Sequence, residues 1–215
     1  MPSSANWGAR LTAWNRRLHY YVGLYLLFFL WLFCFTGLLL NHSKWAFAEF
    51  WANRQQSDRE VAIAGVPPGG DLEQAREIAR QAGLHGEIEW TRTRANAERL
   101  EFRVSRPGHI AEVKADFERG RAAIHRIELN AWGVTRILHT FTGVRMGDER
   151  NERDWGMTQA WAFSMDALAA GLIFLTLSSL YMWWRRSEKR RAGAIALACG
   201  AASCGWFVVG LRWFA

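Results

Sequence analysis

Three stretches of this sequence carry almost no charge over lengths that ordinary soluble helices seldom reach. Residues 18–40 contain no Asp, Glu, Lys or Arg, residues 155–184 contain only Asp166, and residues 192–211 contain none. Each reaches the roughly 20 residues that cross ~30 Å of hydrocarbon at ~1.5 Å per residue. The first is too long in its apolar core for a cleaved signal peptide, and no small-x-small site follows Leu40, so it is expected to stay as an anchor.

The formal charge of +7 would suit a nucleic-acid binder if it were spread over a folded domain. It is not. Between Asn41 and Asp154 there are 18 Lys/Arg against 18 Asp/Glu, which cancel. The excess lies chiefly in Arg10, Arg16 and Arg17 before the first apolar run and in Arg185, Arg186, Lys189, Arg190 and Arg191 between the second and third. That is the positive-inside pattern of a bacterial inner-membrane protein, so the N-terminus and the 185–191 turn are expected in the cytoplasm. By alternation the long middle segment and the C-terminus fall on the exported, periplasmic side. The lipid bilayer becomes the first partner, and nucleic acid is excluded.

The predicted order is therefore a cytoplasmic N-terminus (1–17), a transmembrane helix (18–41), an interfacial segment and linker (42–70), an exported domain (71–130), an amphipathic interfacial helix (131–146), a second span (156–184), a cytoplasmic turn (185–191) and a third span (192–214). Trp45, Phe47, Phe50 and Trp51 suit the membrane-water boundary. Val66-Pro67-Pro68-Gly69-Gly70 punctuates the chain. From Asp71 the spacing of Leu72, Ala75, Ile78, Ala79 and Ala82 predicts a helix through Leu84. Alternation then predicts strands at 87–94, 99–105, 110–117 and, after a turn at Glu118-Arg119-Gly120, at 122–129. One helix on a four-stranded antiparallel sheet is the packing this pattern favours. Val134, Ile137, Leu138, Phe141 and Val144 recur at helical spacing and lie along the membrane surface, before a turn over 143–147. The fold class is an α-helical membrane protein with three transmembrane helices and an inserted small α+β domain. Cys34, Cys199 and Cys204 all lie in apolar runs, so no disulfide framework or cysteine metal site is available.

Arg16-Arg17-Leu18-His19 opening the first span, Thr36-Gly37-Leu38-Leu39-Leu40-Asn41-His42 closing it, Leu138-His139-Thr140-Phe141-Thr142-Gly143 before the second, and Met165-Asp166-Ala167 within it resemble PepSY-associated transmembrane proteins. The helix and strands ending in the Asp116 to Gly120 hairpin are similar to the PepSY module itself. The resemblance implies a PepSY-like exported domain. Members of that family include ferric-siderophore reductases that hold b-type haem between helices through paired histidines, and others with no assigned activity. This chain is shorter, with three spans and six histidines.

His85, His109 and His125 fall in the module, where surface or structural use is expected. His19 and His42 are 23 residues apart on one helix, roughly 34 Å, and cannot share a metal. His19 has no other histidine on its side of the membrane. His42 and His139 lie on the same side and together form the candidate axial pair for one haem b, with Arg136 and Lys44 set for its propionates. The competing reading is that His42 ends its helix by satisfying carbonyl groups. Asp166 is expected to face the bundle interior with a partner, because an isolated carboxylate costs about 2.5–3.5 kcal/mol at the centre of a span. It is either a polar neighbour that fixes an imidazole's tautomer or a hydrogen bond that orders helix ends. Ala198, Ala202, Gly205 and Gly210 form a small-residue surface for close helix approach.

Two functions follow as expectations. One is a membrane redox protein with a single haem near the outer face, passing electrons between the quinone pool and an exported acceptor in ferric iron or siderophore reduction, with a redox partner subunit or homodimer completing the route. The other is an accessory membrane protein whose module binds a peptide or partner protein. Hydrolytic, zinc-protease and phosphate-loop motifs are absent from the sequence.

Overall fold

The computed structural model describes residues 4–42, 44–94, 98–145 and 152–213. Its elements in chain order are α1 (Ser4–Asn41), a 3-10 turn (Ala46–Ala48), β1 (Gln55–Ala62), α2 (Asp71–Gln81), β2 (Glu87–Arg94), β3 (Arg99–Arg106), β4 (His109–Asp116), β5 (Arg121–Glu128), α3 (Ala131–Thr140), α4 (Gly156–Arg185), a second 3-10 turn (Ser187–Lys189) and α5 (Arg190–Trp213). Three helices, Trp7–Asn41, Gly156–Arg185 and Arg190–Trp213, are long and apolar enough to cross a membrane. Helix α1 begins at Ser4, well before the predicted span at 18. Hydropathy marks only the part suited to lipid, whereas a helix continues for as long as its residues tolerate the backbone geometry. The predicted interfacial helix (131–146) stops at Thr140, where Phe141 turns extended and Gly143 takes φ 65°; its last residue, 146, and the end of the expected turn, Gly147, lie outside the described residues.

The chain divides into two compact units, Met1–Phe28 with Ala167–Ala215 and Phe29–Asp166. In the first, polar contacts between α1 and α4 follow an antiparallel order. Thr12 shares a hydrogen bond with the Tyr181 hydroxyl at 3.1 Å, and Asn15 donates to the Ser178 carbonyl. The His19 Nδ1 lies 3.1 Å from the Ser178 hydroxyl, so the residue that lacked a histidine partner has a serine instead. Ser178 is 3% exposed, and pairing with an imidazole satisfies a hydroxyl that lipid could not. Further along, Leu26 packs on Gly171, where a Cβ would collide with it. Helix α5 has no buried residue.

In the second unit the sheet is antiparallel with order β1-β5-β4-β3-β2. Leu100, Phe102 and Val104 of β3, Ala111, Val113 and Ala115 of β4, and Ala122 and Ile124 of β5 alternate into one core, which Ala75, Ile78 and Ala79 of α2 cover. This is the period-two pattern meeting the helical one. The core residues of α2, β3 and β5 were legible one by one, while for β4 only the strand was. The strand count was not, because β1 sits where a linker was expected. Its sequence, Gln-Gln-Ser-Asp-Arg-Glu-Val-Ala, has no apolar alternation and is exposed over nearly its whole length. It is a strand because β5 offers it eight paired residues, Gln55 opposite Glu128 through Ala62 opposite Arg121. Such an edge strand takes its stability from the ladder and from cross-strand pairs such as Asp58 with His125, 2.7 Å apart.

Candidate functional site

Helix α3 opens with Asn130, whose side chain accepts from the Gly133 amide, a standard N-cap. Arg136 and His139, one turn apart on this helix, both reach the C-terminal end of α1. Arg136 donates through Nη2 to the His42 carbonyl at 3.3 Å, and its guanidinium lies 5.1 Å from the Phe50 ring. It is 7% exposed, and its Nε has no hydrogen-bond partner among the described residues.

The His139 Nδ1 lies 2.7 Å from the Thr36 hydroxyl. Thr36 is 1% exposed and donates its own proton to the Phe33 carbonyl at 3.0 Å. A hydroxyl has one proton to give. With that proton on Phe33, the Thr36 oxygen accepts from His139, an arrangement that in the neutral ring puts the proton on Nδ1 and the lone pair on Nε2. Phe33 packs on the imidazole at 5.2 Å between ring centroids. The imidazole lies against Gly37 of α1, at ordinary contact distance from where a Cβ would stand.

The structure thus brings the two expected segments together, α3 against the end of α1, but engages the two rings differently. His42 is exposed, and its imidazole stacks on Trp45 at 4.4 Å with 5° between the planes. Lys44 is exposed. For a haem, His139 fits an axial ligand whose tautomer is set by a neighbouring hydroxyl. The unpartnered Nε of Arg136 fits a propionate. As stacked on Trp45, His42 does not fit the second axial position.

Asp166 departs from its expected place. It is exposed and makes no hydrogen bond or ion pair among the described residues. Among the half-buried or buried positions of α4, Trp161, Ser164, Leu168, Gly171, Leu175 and Ser178 recur at helical spacing along one stripe. Asp166 is two residues past Ser164, roughly 200° around the helix, and shares its side with Phe163, 75% exposed, and Ile173, 62% exposed. Of the module's histidines, His125 lies 2.7 Å from Asp58 and His109 lies 3.6 Å from Glu128.

Two residues that sequence reasoning passed over hold the site's surroundings. Glu87, 3% exposed at the start of β2, accepts from the Asp154 amide at 2.6 Å and the Trp155 amide at 3.0 Å, immediately before α4 begins at Gly156. A carboxylate there satisfies free N–H groups and meets the positive end of the helix dipole. Glu49 receives the amides of Ala52 and Trp51, which hold its carboxyl below the usual range. No local pattern marks Glu87, since its partners are more than sixty residues away. Thr36 was visible only as part of a motif.

The family described as the PepSY-associated TM region matches residues 3–186. No curated protein and no solved structure matches the chain.

Proposed function

The chain belongs to the PepSY-associated transmembrane family, and from that premise we propose that it is a membrane redox protein carrying one b-type haem on its outer side, with His139 as an axial ligand. In this reading the N-terminus faces the cytoplasm and the sheet module the exported side, the orientation that the placement of Arg and Lys favours. The observation that carries this reading is the chain of contacts from His139 Nδ1 to Thr36 to the Phe33 carbonyl, which fixes the ring and suits a neutral imidazole with its lone pair on Nε2. That is how proteins prepare a neutral imidazole to bind a metal. Arg136 places a cation one turn from His139, with Nε unused. His42, the expected second ligand, would have to leave its stack on Trp45 to serve. Haem would supply a one-electron relay, and exported ferric chelates are the acceptor class the family suggests. Lys44 is assigned a lesser role, as a cation at the same rim.

Protein purified from haem-sufficient cells is expected to show a Soret band that shifts on reduction, and His139→Ala is expected to abolish it. Colourless protein would leave the accessory reading. That reading has its own support in β1, which among the described residues pairs with β5 alone and so leaves an edge on which a partner's extended segment can add a strand.

A further inference from the structure

A cleft of about 510 Å³ lies in the second unit, bounded by the turn between β3 and β4, the end of α3, the first turns of α4 and Phe29 of α1. Its walls are chiefly apolar, with Phe29, Phe141, Trp155 and Trp161 presenting aromatic rings. Residues Met157 to Ser164 run ~10 Å along α4. The cleft therefore leads from the sheet module into the apolar stretch of two helices long enough to span a bilayer. Trp161 is held as a wall by donating Nε1 to the Phe141 carbonyl at 3.2 Å.

Polar groups stand at distinct places in this apolar space. Arg106 and His109 face each other as cross-strand partners, set by a turn with Pro107 at its second position and Gly108 at φ 85°. Arg106 has no carboxylate or hydrogen-bond partner among the described residues. Burial pushes the His109 imidazole below its ordinary pKa, and Arg106 and Arg126 act the same way, against an opposing pull from Glu128. His109 is thus neutral at pH 7 and can both accept and donate. Thr158, 1% exposed on α4, also lines the cleft, and its Oγ1 has no hydrogen-bond partner among the described residues. A buried hydroxyl left without a partner is costly unless something else occupies its neighbourhood.

We propose that this cleft binds the head of a lipid quinone, ring between the aromatic walls, with oxygens toward Arg106 and His109 at one end and Thr158 at the other, and prenyl tail toward Phe29. Its volume is that of a small-molecule site. A planar, uncharged ring with an oxygen at each end matches aromatic walls and separated polar groups. A phospholipid phosphate matches less well, because it calls for several cations or convergent donors and the lining offers one arginine beside a neutral imidazole. The role of the bound quinone as electron partner rests on the redox reading above, but its binding does not.

The test uses the full chain in phosphatidylcholine nanodiscs and a photoreactive azidoquinone with a decyl tail. Labelling is expected to be saturable, to map to the 155–164 segment or the 106–109 turn, and to be displaced by decylubiquinone but not by phosphatidylglycerol. Arg106→Gln with His109→Leu should weaken it about tenfold, the loss of roughly one hydrogen bond's worth of affinity. Ala160→Phe, which narrows the cleft from an exposed helix position without touching the hairpin, should weaken it likewise. Unsaturable labelling, labelling unmoved by both variants, or displacement by phosphatidylglycerol would overturn the proposal. Haem absorbance read on the same nanodiscs separates the two ideas, since quinone labelling of colourless protein keeps the cleft and removes the haem.

Discussion

At the scale of single residues, the chemistry turns on which atoms already hold a proton. Thr36 spends its proton on Phe33 and so obliges His139 to carry one on Nδ1. Thr36→Val removes the acceptor while keeping the shape, and is expected to weaken haem retention by about 10–100-fold, as loss of an outer hydrogen bond to a metal-bound histidine does. Thr36→Ser should restore it. Haem titration of apoprotein measures both, and equal retention in wild type and Thr36→Val would remove the relay from the argument. Asp166→Asn is expected to leave the Soret band and haem affinity unchanged, because Asp166 touches no member of the site among the described residues. Glu87 is a structural counterpart. Its buried carboxylate holds two amides, so Glu87→Gln should destabilise the second unit by about 1–3 kcal/mol, the cost of weakening charge-assisted hydrogen bonds at a buried position. Denaturant titration in detergent reads that as a lowered midpoint.

At the scale of elements, α2 and the sheet hold each other through a core and a polar rim. Phe102 is 0% exposed at the centre of that core, and Phe102→Ala should cost about 3–5 kcal/mol through lost burial and the cavity left behind, which the same titration measures. The rim is pH-dependent. Glu77 accepts from Arg80 and Gln81, and those hydrogen bonds bring its carboxyl down from 4.5 to about 2. A depressed folded value means that the interaction stabilises fully above the ordinary carboxylate range and is lost as pH falls toward 2. Gln81 also ties α2 to the preceding linker, donating to the Ala64 carbonyl at 2.8 Å and accepting from its amide at 3.1 Å. Amide exchange at Ala64 and at the end of α2 is therefore expected to accelerate between pH 4.5 and 2 beyond its intrinsic pH dependence, and unchanged protection would dismiss the coupling. The predicted helix, four strands and apolar faces were readable because each is a repeat written within a dozen residues. Strand β1 was not, since its exposed side chains carry no periodic signal and only β5 makes it a strand.

For the molecule as a whole, the spans, the balanced charge of the inserted segment and the alternation of its core were determined by the sequence alone. Solvent preference and backbone period act locally, and they need no knowledge of what the chain meets later. The candidate site was half legible. Spacing and topology chose His42 and His139 and brought their segments together, but whether a ring faces a neighbour or stacks on the next aromatic residue depends on rotamers selected by packing. Only the tertiary structure decided that His139 is claimed by Thr36 and His42 by Trp45, that Asp166 turns away, and that Glu87 meets the start of α4. It also placed the Arg106–His109 turn at the mouth of an aromatic cleft. The Thr36–His139 and Glu87–Trp155 contacts join residues more than sixty positions apart, and such contacts are set by how finished elements fit against one another, a property that no local pattern contains.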